Sequence, residues 1–173
     1  MNYPCALLPV TREPLTLPLG NTVLIPRAYP VFLPWKGAFK RTRITTHKTV
    51  LNENGRPCFV EQAILKILEA DGWSGLWVGA LGRSFQTSTC GEGKLPKPLI
   101  VLMNDIYTHA VTRAGCFDVI AWKGDEVLFA EAKWRGKEVI GRTRLRWLSA
   151  ALRAGLSPEA FLIVEWEMKI VQS

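Results

Sequence analysis

At 173 residues the chain is the size of one domain, and its 48% hydrophobic and 21% charged residues exclude a wholly disordered tail or a fibrous repeat. Twenty-two Lys and Arg against fifteen Asp and Glu leave a net charge of +7, so a polyanion such as nucleic acid is a natural partner, although an excess of this size also serves solubility. Cys5, Cys58, Cys90 and Cys116 are too widely spaced for a CxxC zinc pair or a compact disulfide framework.

No basic stretch followed by an apolar run opens the sequence, and nothing approaches the roughly 18–20 apolar residues of a membrane span. A cytoplasmic protein with no membrane contact and reduced thiols is the expectation. Seven of the eleven prolines fall between Pro4 and Pro34, which forbids long helices there. Residues such as Leu15, Leu17, Ile25, Phe32 and Trp35 are too apolar to stay in water. Residues 1–56 are therefore expected to form a Pro-rich extended arm and a basic ribbon that pack on the body or on a second subunit, with residues 57–173 as the main domain. The ribbon runs from Phe39 to Lys48 and carries Lys40, Arg41, Arg43, His47 and Lys48. Arg41 and Arg43 are candidates for phosphate contact, and a solvated edge strand guarded by charge accounts for the same composition.

Val60, Ile64, Ile67 and Leu68 recur at helical spacing, which predicts a helix from Pro57 to Asp71 stopped by Gly72. Trp73–Leu81 reads as a strand, Gly82–Lys97 as a surface loop, and Pro98–Arg113 as a second helix ending near Gly115. Cys116–Trp122 and Val127–Trp134 are β-rich runs around Gly124-Asp125, a natural two-residue hairpin turn. A helix from Gly141 to Ala154 with the stripe Leu145, Leu148 and Leu152, and a final strand from Ala160 to Trp166, complete the order.

The hairpin carries the chemistry. Centring it on Gly124-Asp125 sets Lys123 opposite Glu126, Trp122 opposite Val127 and Asp118 opposite Glu131. Directly opposed residues have Cβ atoms about 4.5–5.5 Å apart, so two carboxylates there repel unless a cation lies between them. Strand alternation turns Lys133 to the same face as Glu131. Hard carboxylate oxygens suit Mg²⁺ or Mn²⁺, which activate water and stabilise a departing oxyanion in phosphodiester hydrolysis.

The run Gly115-Cys116-Phe117-Asp118, then Glu131-Ala132-Lys133, then Arg144-Leu145-Arg146-Trp147-Leu148 resembles the PD-(D/E)xK nuclease superfamily, closest to its VRR-NUC (virus-type replication-repair nuclease) branch, over residues 57–166. The resemblance implies an α/β fold with a restriction-endonuclease-like core, in the order αβββαβ, whose mixed central sheet is flanked by helices. It also implies a metal-dependent DNA endonuclease acting on branched or structured DNA in replication, repair or phage biology. Asp118, Glu131 and Lys133 then become the catalytic residues. Asp118, Glu131, the backbone of Ala132 and, from the first core helix, Glu61 become the ligands of Mg²⁺ or Mn²⁺. Phe117 replaces the motif proline, and Arg144 stands where the branch usually has Gln and could clamp a phosphate. Arg142, Arg146 and Arg153 share the side of the Gly141 helix opposite its leucines, so Arg142, Arg144 and Arg146 are the nucleic-acid candidates of that helix. A homodimer would give such an enzyme one site per strand. A catalytically inactive nucleic-acid-binding module of the same fold is the alternative, and a structural partner that dimerises through the apolar arm is a third.

Overall fold

The structure, a computed structural model, describes residues 1–40, 48–79, 84–110 and 114–169. Arg41, Arg43 and His47 of the basic ribbon lie outside the described residues. Within them the chain is a mixed α/β protein: one mixed sheet with helices on both faces.

The hairpin forms in the expected register. β8 (Val119–Lys123) and β9 (Glu126–Trp134) are antiparallel, with Lys123 opposite Glu126 and Trp122 opposite Val127, and the ladder runs down to Val119 opposite Ala130. On its other edge β8 pairs antiparallel with β6 (Ser74–Val78), which pairs in turn with the two-residue β7 (Phe85–Gln86). The described part of the expected surface loop therefore contains a short edge strand. β10 (Phe161–Met168) lies parallel to β9 and is reached through α3 (Arg142–Arg153), since parallel neighbours need a crossover and a helix supplies it.

Strand alternation sorts the core into two layers. Val119, Ala121, Leu128, Ala130, Leu162 and Val164 face α1 (Val60–Ala70), which buries Ile64, Leu65 and Leu68 against them. Ile120, Phe129, Phe161 and Ile163 face α3 and α2 (Lys97–Ala110), whose Trp147, Leu148, Leu99, Met103 and Ile106 are buried on that side. The aromatic group Phe117, Phe129, Trp147 and Phe161 fills this second layer, with ring centroids 5.1–6.3 Å apart. Trp147 is fully buried and belongs to packing.

One expectation needs correction. The first helix starts at Val60, because Pro57 belongs to β5 (Arg56–Cys58), a strand paired with β4 (Leu51–Glu53). Asn54-Gly55 makes that turn with positive φ at both residues, 49° and 79°, the left-handed pair that a tight hairpin requires. The helix then begins where Phe59 donates its backbone N–H to the Gln62 side chain at 2.9 Å.

Residues 1–35 are built into the sheet. β1 (Thr11–Thr16) and β2 (Thr22–Ala28) form an antiparallel hairpin, and β3 (Val31–Pro34) follows. β2 and β3 both run parallel to β10 on the edge away from β9, through Arg27 and Ala28 and then through Val31 and Phe32. Prolines explain the brevity of these pairings: Pro26 precedes one, Pro30 separates the two, and neither has an N–H to give.

One glycine sets the geometry of the site end. Gly115 has φ +97°, and a Cβ there would collide with the Thr143 carbonyl in the first turn of α3. Only glycine lets the segment leading to Asp118 run so close to the helix that carries Arg144.

Candidate active site

Asp118 sits one residue before β8, and the fold pins it from both sides. Its carbonyl accepts the Val78 N–H at 2.7 Å, and its Oδ2 accepts the Ala132 N–H at 3.0 Å. Glu131 projects from β9 on the α3 face and is completely buried. Lys133, two residues on, reaches back to Glu131 Oε1 at 2.8 Å. Asp118, Glu131 and Lys133 thus converge as strand alternation predicts.

The cation between the two acids belongs to the chain. Arg144 donates its Nε–H to Glu131 Oε1 and its Nη2 to Asp118 Oδ1, the latter at 2.8 Å. The guanidinium forks across the pair with two separate nitrogens in one plane, a geometry that the single nitrogen of an ammonium lacks. Arg142 and Arg146 stand exposed on the same helix and take no part in this contact.

A cavity of about 320 Å³ opens over this group. Its lining includes Asp118, Ala132, Lys133 and Arg144, with Glu61 and Lys48 on the α1 side and Trp134, Trp166 and Glu138 on another. Glu61 lies in the first turn of α1, and its Oε1 is ion-paired with Lys48. Lys48 also lies 5.0 Å from the Trp77 ring centroid and 5.5 Å from that of Phe59. Glu61 therefore shares the cavity with Asp118 but is turned to Lys48, Glu131 lies buried beneath the cavity, and among the described residues the three carboxylates do not form one cluster. The Trp134 and Trp166 rings lie 4.7 Å apart, tilted by 39°, and Lys137 covers Trp134 at 4.0 Å.

Sequence reasoning did not place Trp166, Glu138 or Lys48 in this cavity. Lys48 was visible only as one cation of a basic run, and Trp166 reaches the site through the register that sets it beside Trp134.

The electrostatics are frustrated. Burial, and then the nearby charge of Asp118, push the Glu131 carboxyl up to about 7 although Arg144 and Lys133 oppose the shift. Glu131 Oε2 and Glu61 Oε2 are buried without a hydrogen-bond partner among the described residues. A carboxylate whose folded-state value is raised contributes stability that is complete below its unfolded value, near 4.5, and is lost as pH rises through about 7. Without divalent ions, Glu131→Gln is expected to be more stable than the parent at pH 8 by about 2–3 kcal/mol, with the gap closing toward pH 5. Denaturant melts in EDTA at both pH values check this, and an unchanged gap would show that ionisation of Glu131 carries no such cost.

The donor set is one a hard divalent cation accepts: carboxylate oxygens, one of them an orphaned atom of a buried Glu131, beside a strand backbone. The residues present fit Mg²⁺ or Mn²⁺.

Fold and site together define a mixed α/β protein with a buried acid–lysine group at one end of its hairpin and an arginine set across it. No family model, curated protein or solved structure matches the chain.

Proposed function

We propose that the chain is a metal-dependent deoxyribonuclease of the PD-(D/E)xK type, with a restriction-endonuclease-like core over residues 57–166 and residues 1–56 appended to it. The observation that carries this is the convergence of Asp118, Glu131 and Lys133 on one face, at one end of the predicted hairpin register, with Asp118 and Lys133 lining an open cavity and Glu131 buried beneath it. The order helix, strand, helix, hairpin, helix, strand from residue 60 to residue 168 supports it, with β7 as an addition. So does a +7 charge around an acidic centre, which draws in a phosphate backbone while leaving a place for a cation.

Asp118 and Glu131, with the Ala132 backbone and Glu61 nearby, would hold Mg²⁺ or Mn²⁺. That ion supplies Lewis-acid activation of water and neutralises charge on the leaving oxygen. The chain's own residues do the rest. Lys133, held by Glu131, presents an N–H to the attacking water or to the non-bridging phosphate oxygen and screens the charge that develops there. Ala132 fixes the Asp118 carboxylate through its N–H, so the acid does not rotate away during turnover. Exposed Arg142 and Arg146 carry the duplex or its branch along α3 without touching the reacting atoms.

The arginine across the two acids favours a second reading, a nucleic-acid-binding module without turnover, because an acid pair already neutralised needs no metal to persist. One panel separates the two. Single-stranded, duplex, flap and four-way DNA is incubated with Mg²⁺ or Mn²⁺, and with EDTA as control, while the molar mass is measured by light scattering to test the homodimer. Cutting that needs the divalent ion is the expected result. Tight, salt-dependent binding with no cutting of any substrate would favour the module.

A further inference from the structure

Granted the metal-dependent hydrolysis proposed above, we propose that Arg144 is the site's resident counter-cation and competes directly with the divalent ion for Asp118 and Glu131. Asp118 Oδ2 is committed to the Ala132 N–H, and Glu131 Oε1 is shared by Lys133 and Arg144. Arg144 also takes Asp118 Oδ1. Arg144 thus holds one oxygen of each acid that would otherwise be open to a cation, and of the four oxygens Glu131 Oε2 alone has no hydrogen-bond partner among the described residues.

Exposure identifies which group gives way. The Glu131 side chain is 0% exposed and cannot be hydrated in place, whereas that of Arg144 is 31% exposed and that of Lys133 15%. Arg144 stands in the first turn of α3 and lines the cavity, so its guanidinium can leave the acids for the open space above them. A phosphate entering that space offers it the same planar, two-oxygen partner that the acids offered. Metal uptake and substrate uptake are thereby coupled: each draws away what holds the other back, and the coupling is reciprocal.

The test is Mn²⁺ binding by isothermal titration calorimetry without nucleic acid, on full-length wild type, Arg144→Gln and Arg144→Lys, with Glu131→Ala to locate the site. The expected result is binding roughly tenfold tighter or more in Arg144→Gln than in wild type, with Arg144→Lys between them and Glu131→Ala flat. In EDTA Arg144→Gln melts lower than wild type, and Mn²⁺ raises its melting temperature by more. Should Arg144→Gln fail to fold without metal, Arg144→Lys, which keeps the charge but loses the fork, still decides the matter by its affinity. Equal or weaker Mn²⁺ binding in the Arg144 variants, with wild type binding normally, overturns the competition and leaves the nuclease reading intact. Absence of Mn²⁺ binding in every protein overturns both.

Discussion

Asp118→Asn and Glu131→Gln are expected to abolish divalent-dependent DNA cutting, each lowering the rate by roughly a thousandfold or more, because each removes a carboxylate charge that would hold the divalent ion. Both substitutions keep the shape of the side chain and the fold should persist: Glu131→Gln keeps an oxygen for Arg144, while Asp118→Asn keeps one oxygen for the Ala132 N–H and gives up the bond from Arg144. Lys133→Ala should cost roughly a hundredfold to ten-thousandfold, as for other groups that orient or polarise the attacking water. The losses should not add: the double variant Asp118→Asn with Lys133→Ala should cut little worse than the worse single variant, since the residues act as one unit. Arg142→Ala and Arg146→Ala, on the exposed face of α3, should instead weaken binding a few-fold and reduce its salt dependence, with the rate at saturation unchanged. Single-turnover rates with folded, freshly purified variants make the comparison. Cutting that survives in Asp118→Asn, Glu131→Gln and Lys133→Ala alike would place the activity elsewhere.

Ile25→Ala should destabilise the protein by about 3 kcal/mol and lower its melting temperature by roughly 6–12 °C. Ile25 is fully buried in the layer that holds Phe129, Trp147 and Phe161. It lies in β2, next to the stretch that pairs with β10, so its loss opens a cavity that a strand fixed on both sides cannot close. A loosely docked arm would respond differently: its side chains could readjust, and the same change would cost well under 1 kcal/mol. The urea midpoint of Ile25→Ala against wild type, compared with the exposed control Leu19→Ala, distinguishes the two.

What could be read from the chain follows from how far each signal reaches. The hairpin register was legible because Gly124-Asp125 fixes it locally, and period-two alternation then carries Asp118, Glu131 and Lys133 to one face with no further information. α3 was legible from Leu145, Leu148 and Leu152, and its stop from Gly155. Asn54-Gly55 was an equally local signal for the β4–β5 turn, but Pro57 ahead of an apolar period reads more readily as a first helical turn. The prolines of the first thirty-five residues were rightly incompatible with a long helix, yet they are compatible with short parallel pairings to β10, and pairing across so many residues leaves no local trace.

The sequence by itself determined the acid pair, the lysine beside it and the strand face they share, since turn chemistry and side-chain alternation act between near neighbours. Only the tertiary structure decided that Arg144 lies across Asp118 and Glu131, that Glu61 turns to Lys48, and that the N-terminal residues complete the sheet. Each of those depends on where a helix or strand distant in sequence comes to rest. That is set by the closing of the two core layers around β8, β9 and β10, and no pattern inside any one segment encodes it.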